Sequence, residues 1–194
     1  MVKRTTQLKE EISKCTVCKE FLPFTPKPIC SFSRRSKIVM IGQAPGLRVH
    51  ESGVPWDDAS GERLREWLGV TGEQFYDPDI FAIVPMGFCY PGKGKTGDLP
   101  PRPECAPLWM DPVLESIGDH KIKILIGQHS QKYFLKNAAA ATLTETVKAW
   151  RAYLPGCMVL PHPSPRNNIW LKKNPWFGVE LLPAVKNTVK EILD

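Results

Sequence analysis

Apolar positions gather in four short runs, and the stretches between them carry helical spacing. "KIVMIG" (37–42), "IFAIVPM" (80–86), "KIKILIG" (121–127) and "CMVLP" (157–161) are bounded by Gly or Pro and predict buried strands. "SGERLREWLG" (60–69) puts Leu64, Trp67 and Leu68 on one helical face, with Ser60 as N-cap and Gly69 as the stop. "PECAPLWMDPVLESIG" (103–118) predicts a helix broken at Pro112. Further helices are expected over 129–136, 144–154 and 178–193, the last kinked or restarted at Pro183.

Strands alternating with helices predict an α/β protein: a three-layer αβα sandwich around a central, mostly parallel, four-stranded sheet. At 194 residues, the chain is expected to form a single domain over 1–194. Ligands of such sheets bind at the carboxyl ends of the strands. That edge collects "GQAPG" (42–46), "PMGFCYPG" (85–92), "GQHS" (127–130) and "HPSPRN" (162–167). Around the last of these, Pro161, Pro163 and Pro165 bracket His162 and Ser164. Proline fixes its own φ and restricts the residue before it, so an imidazole and a hydroxyl are held on a stiff rim. "PGKGKTGDLPPRP" (91–103) is the one long irregular segment, of a length that usually signals function or disorder.

Composition narrows the class. Hydrophobic residues make up 42% and charged residues 24%, ordinary for a soluble globular protein. No apolar run approaches the ~20 residues that span a bilayer, and the first residues are charged rather than signal-like, so a cytoplasmic protein is expected. The net charge of +6 fits a nucleic-acid partner as well as an inert basic surface. Six cysteines in a reducing compartment leave metal ligation or burial open for each. Cys15 and Cys18 form a C-x₂-C pair, and Cys89 and Cys105 stand at either end of the Gly/Pro-rich loop. Four such thiolates could close one site, and zinc or an iron–sulfur cubane both accept four. Cys30 and Cys157 read as small apolar residues.

Taken in order, these peptides resemble the iron–sulfur branch of the uracil-DNA glycosylase superfamily. The resemblance rests on the Cys15/Cys18 and Cys89/Cys105 pairs, on Gly42-Gln43-Ala44-Pro45-Gly46, on Gly53-Val54-Pro55-Trp56 with Gly61 downstream, and on His162 to Pro165. It runs from about residue 10 to the C-terminus. It implies a monofunctional glycosylase acting on DNA as a monomer, with a structural [4Fe-4S] cluster on Cys15, Cys18, Cys89 and Cys105. The cluster would order the loop near DNA, making Lys93, Lys95 and Arg102 candidates for phosphate contact.

Such an enzyme flips the nucleotide out of the stack and stabilises negative charge on the departing base. The resemblance implies that His162 donates to the base O2 and that Trp56 stacks on the base, where Phe is usual. The backbone N–H groups of Gln43 and Ala44 would be donors to the base. Ser164 would pinch the phosphate backbone, with Arg166 wedging into the stack or touching phosphate. Two positions depart from related enzymes. Ala44 stands where the best-known members carry Asp or Asn, a group that the iron–sulfur branch also lacks. Pro85 stands near an expected Asn, so no amide there reads uracil's edge. Asp57 and Asp58 are the nearest carboxylates for positioning water or for stabilising the sugar cation; the same pair would also suit a helix N-terminus. His50 and Glu51 flank the site without a role that any mechanism demands, and His129 reads as structural. Uracil or another deaminated base is the expected substrate. Two other readings remain: a catalytically silent iron–sulfur DNA-binding module, and a zinc-bearing α/β enzyme on a small nucleoside or phosphorylated substrate.

Overall fold

The computed structural model describes residues 5–194. Four parallel strands, β1 (Ile38–Ile41), β2 (Phe81–Ile83), β3 (Ile122–Ile126) and β4 (Cys157–Leu160), form one sheet in the order β2-β1-β3-β4. The pairing aligns Ile38 with Phe81 and Ile122, and Ile126 with Leu160. Side chains along a strand alternate between faces, yet every residue of β1 and β2 is buried. Both faces are therefore covered, as in a three-layer α/β fold.

The covering helices are α1 (Thr5–Ser13), α2 (Leu47–Ser52), α3 (Ala59–Leu68), α4 (Gly72–Tyr76), α5 (Cys105–Ser116), α6 (Gln128–Leu135), α7 (Leu143–Lys148), α8 (Asn168–Lys173) and α9 (Leu182–Leu193). α1 packs on α5 and α3 on α9. Phe32, Phe75, Phe81 and Phe177 are fully buried in the core. Each such side chain contributes on the order of 2 kcal/mol by leaving water.

Three boundaries differ from expectation. α3 is capped by Asp58, whose carboxylate accepts from the Gly61 N–H at 2.8 Å, and Ser60 is buried inside the helix instead. α5 runs through Pro112 without a break. Its face of Ala106, Met110 and Val113 is buried on both sides of the proline, and the carbonyl left without an N–H belongs to the exposed Leu108. The segment expected as one helix over 144–154 splits into α7 and a 3₁₀ turn at Trp150–Tyr153. Pro183 restarts the C-terminal helix: a π turn over Phe177–Leu181 precedes α9, with the proline in its first turn.

The strand order places the site. From β1 the chain steps outward to β2, then crosses to the far side of β1 to make β3 and β4. Loops leaving the carboxyl ends of β1 and β3 consequently diverge, and the crevice between them is where open parallel sheets bind ligands.

Candidate active site

A cavity of about 590 Å³ opens at that crevice. The loop after β1 supplies Gly42 to Gly46, the segment before α3 supplies Pro55, Trp56 and Asp58, and the turn after β4 supplies His162 and Ser164 to Asn167. The 89–105 loop closes the wall with Thr96 to Leu99. Gly127, at φ 84, ends β3 between the two sides. A Cβ there would stand 3.6 Å from Gln43 Nε2 and 3.7 Å from His162 Cβ. The first and last motifs, more than a hundred residues apart, thus meet over the end of β3.

Trp56 is held by close backbone approaches. Its φ of 57 lies in the left-handed region, costly for a bulky residue. A Cβ on Gly42 would stand 2.9 Å from the indole Cζ2, and one on Gly61 would stand 1.8 Å from the Trp56 carbonyl oxygen. The indole therefore lies over the end of β1, and the Trp56 backbone is pressed against the first turn of α3. Its centroid is 5.5 Å from that of the His162 imidazole, with planes tilted by 33°.

His162 is neutral at physiological pH. Burial pushes its pKa down from 6.5 to about 4, against the opposing pull of the Asp58 charge. The Ser164 N–H donates to His162 Nδ1 at 3.2 Å. An acceptor at Nδ1 leaves the single proton of a neutral imidazole on Nε2, which is thus a donor. The Asn167 amide donates to the His162 carbonyl at 2.7 Å, and Arg63 donates to the Ser164 carbonyl at 3.2 Å. Buried Gln131 donates to the Leu160 carbonyl at 2.9 Å, fixing the end of β4 just before Pro161. Proline stiffness and four hydrogen bonds aim one neutral ring.

The remaining sequence candidates separate. The Gln43 and Ala44 backbone N–H groups donate to no acceptor among the described residues, and both residues line the cavity. Asp58 lines it too, while serving as the α3 cap. Asp57 does not; its carboxylate stands 3.9 Å from Arg48. Arg166 reaches across to the Thr96 carbonyl at 3.4 Å, and Ser164 Oγ accepts from the Arg166 N–H. Lys93 and Lys95 are exposed on the 89–105 loop. Pro85 lines the cavity and, as expected, offers it no amide. His50 is stacked on Phe24 with centroids 5.1 Å apart, outside the cavity lining. Burial moves the His129 pKa down. Asp98 was missed: its carboxylate bonds to the Tyr90 hydroxyl and lies 3.4 Å from where a Gly46 Cβ would be. It is the sole acidic residue in the 91–103 loop, which was the available signal.

A second, smaller cavity is lined by Cys15, Cys18, Cys89 and Cys105 together with Leu22, Pro26, Phe88 and Trp109. None of the four is in a disulfide. Burial raises the pKa of Cys18, that of Cys89 to about 11 and that of Cys105 to about 12. Backbone N–H groups nevertheless serve two of the sulfurs: Phe88 donates to Cys105 Sγ at 3.3 Å, and Lys27 to Cys89. Among the described residues, no three ligating side chains converge on the point that one metal ion would occupy. Cys30 is half-buried near Cys89, and Cys157 lies on β4, outside this cavity's lining.

Fold and cavity together define a parallel α/β protein with a cavity at the switch point of its sheet. The chain belongs to the uracil DNA glycosylase superfamily, whose family model matches residues 31–186. It is similar to the type-4 uracil-DNA glycosylase of Sulfurisphaera tokodaii, with 26% identity over 131 residues, or 66% of this chain. The match spans 56% of that relative's length.

Proposed function

We propose that the protein hydrolyses the N-glycosidic bond of uracil, or of a related deaminated base, in DNA, leaving an abasic site. The observation that carries this reading is the neutral His162, whose Nδ1 is occupied by the Ser164 N–H and whose Nε2–H is free to donate. As the glycosidic bond lengthens, negative charge gathers on the base oxygens and positive charge on the sugar. A preformed donor at the base O2 stabilises the first without reorganising. With Nδ1 accepting the Ser164 N–H, the neutral imidazole carries its one proton on Nε2 as that donor. The Gln43 and Ala44 N–H groups add donors, and the Trp56 indole gives the flipped base a flat wall.

Asp58 is the carboxylate best placed to steer water or to offset charge on the sugar, and its cap bond to Gly61 makes it rigid. Asp58→Asn keeps a good N-cap and removes the charge, whereas Asp58→Ala removes both. Unfolding by denaturant is expected to show Asp58→Asn near wild-type and Asp58→Ala about 1 kcal/mol less stable. Base release is expected to fall in both. Equal release by Asp58→Asn and wild-type would reduce Asp58 to a cap.

DNA is the inferred macromolecular partner, and Lys93 and Lys95 are the inferred phosphate contacts. Replacing both by alanine is expected to lower the slope of log K against log salt by about 1.8, roughly 0.9 per phosphate. Titration of a fluorescent oligonucleotide across salt concentrations checks it.

The four-thiol cavity is read as the seat of a [4Fe-4S] cluster. Support comes from the donor set, from N–H groups already directed at two sulfurs, and from thiols that surround a cavity rather than one ion's position. Cys15, Cys18, Cys89 and Cys105 would hold it, and its part would be to tie the N-terminal segment to the 89–105 loop. Iron and sulfide analysis, with absorbance at about 400 nm for thiolate–iron charge transfer, separates it from zinc.

The deciding experiment is base release from oligonucleotides bearing uracil (single-stranded, or opposite G or A), hypoxanthine or xanthine, using iron-containing protein. Uracil release carries the proposal, and release of a purine alone moves the substrate. No release from any of them, with DNA still bound, replaces the enzyme by a binding module.

A further inference from the structure

Arg102 lies on the wall of the four-thiol cavity, away from the exposed positions of Lys93 and Lys95 on the same loop. Its Nε and Nη2 fork onto Glu104 at 3.2 and 2.7 Å. Its guanidinium carbon stands 4.2 Å from the centroid of the Phe21 ring. The Cys18 sulfur lines the same cavity beside it, where the guanidinium's charge and N–H groups oppose the rise that burial imposes on the Cys18 thiol. The side chain is only 28% exposed. A group engaged on three sides has little left for a phosphate. Glu104 immediately precedes Cys105, and Phe21 follows Cys18 by one 3₁₀ turn over Lys19–Phe21, so the guanidinium bridges both halves of the thiol set.

The chemistry of the contact depends on what Cys18 carries. A thiol is a weak acceptor and gains little from a cation. A thiolate is a strong acceptor, and a guanidinium is a permanent donor because it does not lose its proton in proteins. The contact therefore matters when Cys18 is ionised, which is its state as a ligand.

We propose that Arg102 is a positioning residue of the four-cysteine centre: held by Glu104 and stacked on Phe21, its guanidinium donates to the Cys18 sulfur and stabilises it as a ligating thiolate. This rests on the cluster reading given above. Two consequences follow. Iron bound through Cys18 is held more firmly against a chelator. Electron density is also drawn from the sulfur, so the centre is easier to reduce than without the donor.

The test compares wild-type with Arg102→Met, Arg102→Lys and Glu104→Gln, all purified anaerobically and matched for iron and sulfide. Iron release to a chelator is followed by the loss of absorbance near the thiolate–iron band, and reduction by a potentiometric titration. Arg102→Met is expected to release iron about tenfold faster, the scale of one charge-assisted hydrogen bond, and to be reduced at a lower potential. Arg102→Lys keeps the charge without the fork and is expected between the two. Glu104→Gln, which loosens the fork, is expected to follow Arg102→Lys. Wild-type rates and potentials in all three cluster-bearing variants would overturn the proposal while leaving the cluster intact. It also falls if Arg102→Met keeps wild-type iron release but loses about one phosphate's worth of salt dependence in DNA binding; Arg102 would then be a phosphate contact. Wild-type protein without iron and sulfide would overturn the cluster reading and this proposal together.

Discussion

Replacing His162 with alanine is expected to slow base release by at least about 100-fold, the loss seen when one preorganised oxyanion donor is removed. Binding of the damaged oligonucleotide should change far less, because the imidazole acts on charge that develops only as the bond breaks. Single-turnover release with the wild-type and His162→Ala proteins makes the comparison, and equal rates would sink the assignment. The pH dependence gives an independent reading. The neutral ring is the form set up to donate from Nε2 while Nδ1 accepts, and its pKa lies at about 4. Release is therefore expected to hold steady from about pH 8 to pH 5 and to fall as the pH approaches 4. Stability follows the same group. The unfolded histidine titrates near its ordinary 6.5, and the folded one near 4. In the window between, only the unfolded chain binds the proton, so the contribution of His162 is complete above 6.5 and is lost as the pH falls toward 4. Denaturant midpoints across that window should show acid weakening in the wild-type that is smaller in His162→Ala.

The second large effect is expected from Gly61→Ala. The added methyl would stand 1.8 Å from the Trp56 carbonyl oxygen, 2.7 Å from its carbon and 2.8 Å from its Cβ, and two of these three atoms are backbone. Relief requires α3 to move away from the segment that carries Trp56, which would also break the Asp58 cap on the Gly61 N–H. Destabilisation of about 3 kcal/mol, at the top of the overpacking range, is expected in urea unfolding. Base release should fall even at temperatures where the variant is folded, since Trp56 cannot keep its place. Gly72→Ala is the matched control: its Cβ would meet nothing within 4 Å, and a change within about 0.5 kcal/mol is expected. A Gly61→Ala protein as stable and active as the control would mean that α3 and Trp56 are not held as described.

Much of the site was legible because each motif is local. Gly42 to Gly46, Trp56 and His162 were singled out by short peptides whose prolines and glycines mark strand ends, and all of them line one cavity. The C-x₂-C pair and the two loop-end cysteines likewise fall on one cavity. Side-chain partners were less legible. Asp57 and Asp58 are adjacent in sequence and equal in charge, yet one caps α3 within the cavity lining while the other faces Arg48 outside it. Arg102 reads as one more cation of a basic loop until Glu104, Phe21 and Cys18 are seen around it. Asp98 and Gln131 carry no motif at all, and their significance comes from what stands opposite them.

The sequence by itself determined the parallel α/β architecture, the edge on which chemistry gathers, and the residue types available there. Those follow from hydrophobic period and from the dihedral limits of proline and glycine, which act within a few residues. The tertiary structure alone decided that α5 continues through Pro112, that the His162 proton sits on Nε2, that Trp56 takes a left-handed backbone, and that Arg102 faces the thiols. The physical reason is that burial and packing are set by groups distant along the chain, and even the short-range contacts of Ser164 with His162 and of Gly61 with Trp56 take their geometry from loops that the sheet has brought to one edge.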